Sequence, residues 1–143
     1  MGIDDLLRSG RIRREAVSAA EVRQALKLAE RDLRVARKLM SEDFDWGFTV
    51  AYNAVLQAAR ALMFAQGYRP ASVEGHKNTF AFLAAALEAQ HADLVSYFDR
   101  MRNKRNQAVY GMAGRIAETE ARNLLAKAAE FVKLVRRLVK EAS

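Results

Sequence analysis

Apolar residues return every three or four positions along most of this chain, the repeat of helices with one buried face. Val22, Leu26, Ala29, Leu33, Ala36 and Met40 form the first stripe, and charged residues fill the opposite face through Glu42. Ser18-Ala-Ala-Glu21 is a capping box and predicts where that helix starts. Asp43 or Asp45 starts the next one. Here Phe44, Phe48, Ala51, Val55, Ala58 and Leu62 make one stripe, and Tyr52, Leu56, Ala59 and Met63 make a second. So wide an apolar arc predicts the most buried helix of the domain. Gly67 closes it just past the cap. One polar line interrupts the arc, Thr49, Asn53, Gln57 and Arg60. It is either a narrow solvent-facing strip or the wall of a cleft.

Gly67 to Gly75, punctuated by Pro70, reads as one extended loop. A shorter helix follows, about His76 to Ala89, carrying Phe80, Leu83, Ala84 and Leu87. His76, at its start, is placed for a structural hydrogen bond or for contact with an anion. Then comes a helix from about Ala92 to Tyr110, ended by Gly111, and a last one from about Ala117 to Ala142. The last seam is Ala121, Leu124, Ala128, Phe131, Val135 and Leu138. Near its end Lys133, Arg136, Arg137 and Lys140 complement the helix dipole. At the start of the chain, Asp4 is expected to cap a stub over Asp5 to Arg8, and Arg11, Arg13 and Arg14 read as a solvated basic cluster. The architecture expected is all-α, an up-and-down antiparallel bundle of four long helices and one shorter helix. It forms a single domain, with residues 1–17 as an N-terminal stub and 18–142 as the bundle.

One residue breaks the pattern. On the helix ending at Tyr110, apolar residues fall at Leu94, Phe98, Met101 and Ala108, and the missing step in that seam is Arg105. An arginine in a core seam is costly unless its donors are paired. Either Arg105 pairs with an acid such as Asp45 or Glu74, or it is presented to something in a cleft. Arg102, Asn106 and Tyr110 step by four along the adjoining face, while Lys104 points elsewhere and reads as solvated. Two guanidiniums, an amide and a phenol at one helix end suit a phosphodiester, because arginine forks match phosphate oxygens.

Composition narrows the classes. A length of 143 residues with 51% hydrophobic content suits one domain with a real core. Cysteine is absent, which removes disulfides and thiolate metal sites. The two histidines lie away from any acidic motif, so no metal and no cofactor is expected. No Gly-rich phosphate loop and no Ser-His-Asp set is recognisable. A net charge of +7 favours an anionic partner. There is no long uncharged apolar run and no signal-peptide pattern at the start, so no membrane span and a cytoplasmic location are expected.

Several pieces in order carry a resemblance. They are Tyr52-Asn-Ala-Val-Leu-Gln-Ala-Ala-Arg-Ala-Leu-Met63, Gly67-Tyr-Arg-Pro70 leading to Gly75-His76, and Arg105-Asn-x-x-x-Tyr110. Together, over roughly residues 18–140, they resemble a HEPN domain (higher eukaryotes and prokaryotes nucleotide-binding). The resemblance implies a helical bundle that pairs as a homodimer. Many such proteins are ribonucleases, often toxins encoded beside a nucleotidyltransferase antitoxin. Their signature is an Arg, commonly followed by Asn, with a His about four to six residues further on. Two copies meet across the dimer to form a metal-independent RNA-cleaving site. Carried over, Arg105 matches the signature Arg and Asn106 its neighbour, and the His position holds Tyr110. Tyr ionises near ~10 and His near ~6.5, so Tyr110 is a weaker general base at neutral pH. The implied catalytic set is Arg105, Asn106 and Tyr110, with Arg102, Arg60, Asn53 and His76 binding RNA or nucleotide. The alternative is a HEPN module without catalysis that binds a nucleotide or a nucleotidyltransferase partner.

Overall fold

A computed structural model describes residues 2–71, 73–110 and 116–142, the side chains of 107–110 and 142 excepted. Six helices carry the fold: α1 (Ile3–Arg8), α2 (Ala19–Leu39), α3 (Phe44–Ala65), α4 (Gly75–Ala86), α5 (Ala92–Tyr110) and α6 (Glu118–Ala142). A 3₁₀ turn, Ala89–His91, leads into α5. The expected four long helices, one shorter helix and a stub are all present, in an all-α bundle. None of these helices is long and apolar enough to cross a membrane.

The helix starts follow the capping chemistry. Ser18 Oγ accepts from the Glu21 N–H at 3.2 Å. Of the two candidate starts for α3, Asp43 is the cap, its carboxylate accepting from the Trp46 N–H at 2.9 Å. Asp45 does other work: it is buried and accepts from the Ile116 N–H at 3.1 Å, tying the start of α3 to the segment entering α6. At α1 the cap is Gly2, whose N–H donates to Asp5, rather than Asp4.

α3 is the axis of the molecule. Tyr52, Phe48, Ala51, Val55, Ala58, Ala59 and Met63 have no exposed surface, and α2, α5, α4 and α6 pack around them. Gly47 lies so close to α2 that a Cβ there would stand 2.9 Å from Met40 Sδ. Phe98 of α5 meets Phe131 of α6 edge-on, with centroids 5.2 Å apart. On α4 the buried residues are Asn78, Thr79, Phe80, Phe82 and Leu83, while Ala84 is exposed, contrary to its place in the expected seam. Lys104, expected in solvent, pairs with Glu120 of α6.

The largest departure from the sequence reading is a two-stranded antiparallel ribbon. β1 (Ile12–Arg14) pairs with β2 (Tyr68–Pro70), in the register Ile12 with Pro70 and Arg14 with Tyr68. The basic segment is therefore a strand whose last two residues are exposed. Arg13 and Arg14 are exposed, but Ile12 is buried, and Leu6 of α1 joins it in the core. The supposed extended loop begins as the second strand. Arg69 is fixed beside it by Glu15, Glu21 and the face of Phe64.

Candidate functional site

The side chains that converge near Arg105 come from three helices. α5 supplies Arg102 and Arg105. α3 supplies Tyr52, which the hydrophobic pattern had assigned to a core stripe. α4 supplies His76 from its first turn. Arg105 stands over the Tyr52 ring, with Cζ 5.8 Å from the centroid. His76 is tilted against the same ring, with centroids 5.9 Å apart, and its Nδ1 is 3.2 Å from the Tyr52 hydroxyl. Phe80 packs against the ring at 6.0 Å.

Local chemistry explains why His76 is held there. Glu74 adopts a left-handed backbone, φ +56°, which turns the chain sharply into α4. Asn78, almost wholly buried, bridges the turn: its Nδ2 donates to the Val73 carbonyl at 3.0 Å, and its Oδ1 accepts from Arg11 Nε at 2.9 Å. Thr79 donates to the Gly75 carbonyl at 2.7 Å. The Ala71 N–H bonds to the Arg11 carbonyl at 2.9 Å, so the ribbon steadies the approach to His76.

Arg105 is the electrostatic anomaly the seam suggested, in an unexpected form. It makes no ion pair with Asp45 or Glu74 among the described residues. Among the described residues its Nε is buried without a hydrogen-bond acceptor, and its Nη1 donates to Asn106 Oδ1 at 3.4 Å. Arg102, also half-buried, is paired with Asp99 at 3.2 Å. The field of these cations reaches the neighbouring groups. Burial lowers the His76 pKa below its ordinary 6.5, and Arg105, Arg60 and Arg102 lower it further. Burial pushes the Tyr52 phenol well above its ordinary value, and the same arginines oppose that without cancelling it.

The structure thus brings Arg105, Arg102 and His76 together and adds Tyr52 and Asp99. Asn106 is exposed beside Arg105. Asn53 is half-buried on the turn of α3 that carries Tyr52. Arg60 lies two turns further along α3, in a cleft of about 440 Å³ with Arg13, Gln57, Phe64 and Arg69, and acts on the cluster only through its charge. The Tyr110 side chain lies outside the described residues, as does Gly111. A cleft of about 220 Å³ between α4 and α5 adjoins Arg102, lined also by Arg11, Lys77, Phe80 and Asp99. A larger cleft, about 750 Å³, opens between the start of α5 and the end of α6 and includes none of the cluster. Among the described residues, no group of three His, Asp or Glu side chains is placed to hold a metal ion.

Tyr52 is the member of this cluster that sequence reasoning passed over. The available signal was its hydroxyl: a buried tyrosine needs a polar partner that a phenylalanine does not.

In comparison with known families, the model for the HEPN domain matches residues 22–138. No curated protein matches the chain.

Proposed function

The chain belongs to the HEPN domain family, and from that premise we propose that it is an RNA-directed toxin–antitoxin component acting as a homodimer. In this reading Arg105 and Arg102 grip a phosphodiester at the α5 end of the cleft. Asn106 and Tyr110 complete the catalytic set, and His76, Arg60 and Asn53 help bind the strand. The observation that carries it is the Arg105 guanidinium, whose buried Nε has no acceptor among the described residues. An arginine left so is destabilising by itself and finds its missing acceptor in an anionic ligand. Asp99 is the acidic group that acts on Tyr52 alongside three arginines, so the local potential favours a phosphate. Guanidiniums there also stabilise the charge that builds on phosphorus oxygens during cleavage.

A second reading has its own support. The motif position holds Tyr110 in place of a titrating histidine, which favours a module that binds RNA, nucleotide or a nucleotidyltransferase partner without cutting. Labelled RNA incubated with wild type and Arg105→Ala, with EDTA present, separates the two. The first reading expects cleavage that the substitution abolishes. Binding without cleavage, weakened roughly tenfold or more by the substitution, selects the second. If Arg105→Ala leaves both unchanged, both readings fall. Light scattering that finds a monomer at micromolar concentration would remove the composite dimer site.

A further inference from the structure

We infer that His76 serves this cluster as an uncharged hydrogen-bond donor, its tautomer set by Tyr52, and that its Nε2–H completes the cradle for a phosphate held by Arg105. The inference rests on the phosphodiester reading above and specifies how that site binds.

The argument starts at the Tyr52 hydroxyl. Its side chain has no exposed surface, and its polar partner among the described residues is His76 Nδ1, at 3.2 Å. A phenol kept protonated by burial has one hydrogen to place. Leaving that donor unbonded would cost roughly 1–3 kcal/mol. The hydroxyl therefore donates, Nδ1 accepts, and the single proton of a neutral imidazole sits on Nε2. Nε2 itself makes no hydrogen bond within the described protein, and it is not among the buried atoms left without a partner. Among the described residues it is the ring nitrogen that the protein leaves unengaged.

The charged surroundings suit this role. From α5 the ring feels Arg105 and Arg102, the latter held by Asp99; from α3 it meets Tyr52 and feels the charge of the more distant Arg60; Glu74, just before α4, and Lys77 flank it in the chain. The arginines that draw an anion also resist a second proton on His76. A neutral N–H adds a directed donor to the cradle without adding a charge that the arginines would repel. It follows that His76 is not the group that moves a proton here. Phosphate affinity should not rise as pH falls through the ordinary histidine range.

The chain has two histidines, so side-chain nitrogen NMR on the full protein can assign each ring. At pH 7 His76 is expected as the neutral Nε2–H tautomer, and inorganic phosphate should shift the Nε2 and Hε2 signals. His76→Ala should weaken phosphate binding roughly tenfold, whereas His76→Gln, which keeps an N–H donor, should stay within a few-fold of wild type. Tyr52→Phe should lose the tautomer preference, with thermal unfolding as the check on folding. The inference is overturned by a wild-type Nδ1–H tautomer, by phosphate that leaves the His76 signals unmoved, or by His76→Ala binding as wild type does. If Arg105→Ala loses phosphate while His76→Ala does not, this inference alone fails. If neither variant changes binding, the RNA reading falls with it.

Discussion

Arg105 on α5 lies over the ring of Tyr52 on α3, with 5.8 Å between Cζ and the centroid, and it buries an Nε that has no acceptor among the described residues. Tyr52 supplies a cation–π face, worth about 0.5–2 kcal/mol, while an unsatisfied buried donor costs about 1–3 kcal/mol. The two nearly cancel. Arg105→Leu is therefore expected to keep wild-type stability or gain up to about 1 kcal/mol in urea unfolding while losing RNA affinity. A loss of 3 kcal/mol or more would mean that Arg105 holds the fold together.

His76 gives the protein an acid-sensitive component. Its folded pKa lies below the ordinary 6.5, chiefly through burial and then through the three arginines. Below pH 6.5 the unfolded chain takes up a proton that the folded chain resists, so stability falls as pH drops from 6.5 toward the lowered value. Denaturant titrations at pH 7.5, 6.5 and 5.5 on wild type and His76→Gln test this; the pH values are chosen to bracket the ordinary histidine range. The variant should show the shallower decline, and identical profiles would refute the prediction.

Asp45 ties two distant parts of the chain through its bond to the Ile116 N–H. Asp45→Ala strands that buried N–H and should cost about 1–3 kcal/mol. Hydrogen exchange should show the loss concentrated at the start of α6. Exchange that rises evenly over the whole chain would contradict a local tie.

Glu74 holds a left-handed backbone that a side chain disfavours, at about 1–2 kcal/mol. Glu74→Gly relieves that strain at some entropic cost, so a net gain of about 0.5–1 kcal/mol in thermal or urea unfolding is expected. A loss would show that the Glu74 side chain contributes more than its backbone costs.

Much of the fold was legible because it rests on short-range signals. Ser18, Asp43 and Gly67 mark helix ends by hydrogen bonds and backbone angles made within a few residues. The stripes of α2, α3 and α6 follow from helical period alone. What stayed hidden depends on long-range partners. Strands of three residues leave too little alternation to read, and Ile12 declares itself only when Pro70 is found opposite. Arg105 stood out by its register, but its neighbours did not, because no spacing along the chain reports that α3 and α4 aim Tyr52 and His76 at each other. Lys104 likewise looked solvated until α6 brought Glu120 beside it.

The ribbon makes the cluster answerable to a distant part of the chain. β1 pairs with β2 more than fifty residues further on, and that pairing sets the Arg11 carbonyl and Nε in place to steady Ala71 and Asn78. The approach to His76 therefore rests on a long-range closure, and a change in either strand reaches the cluster through those two bonds.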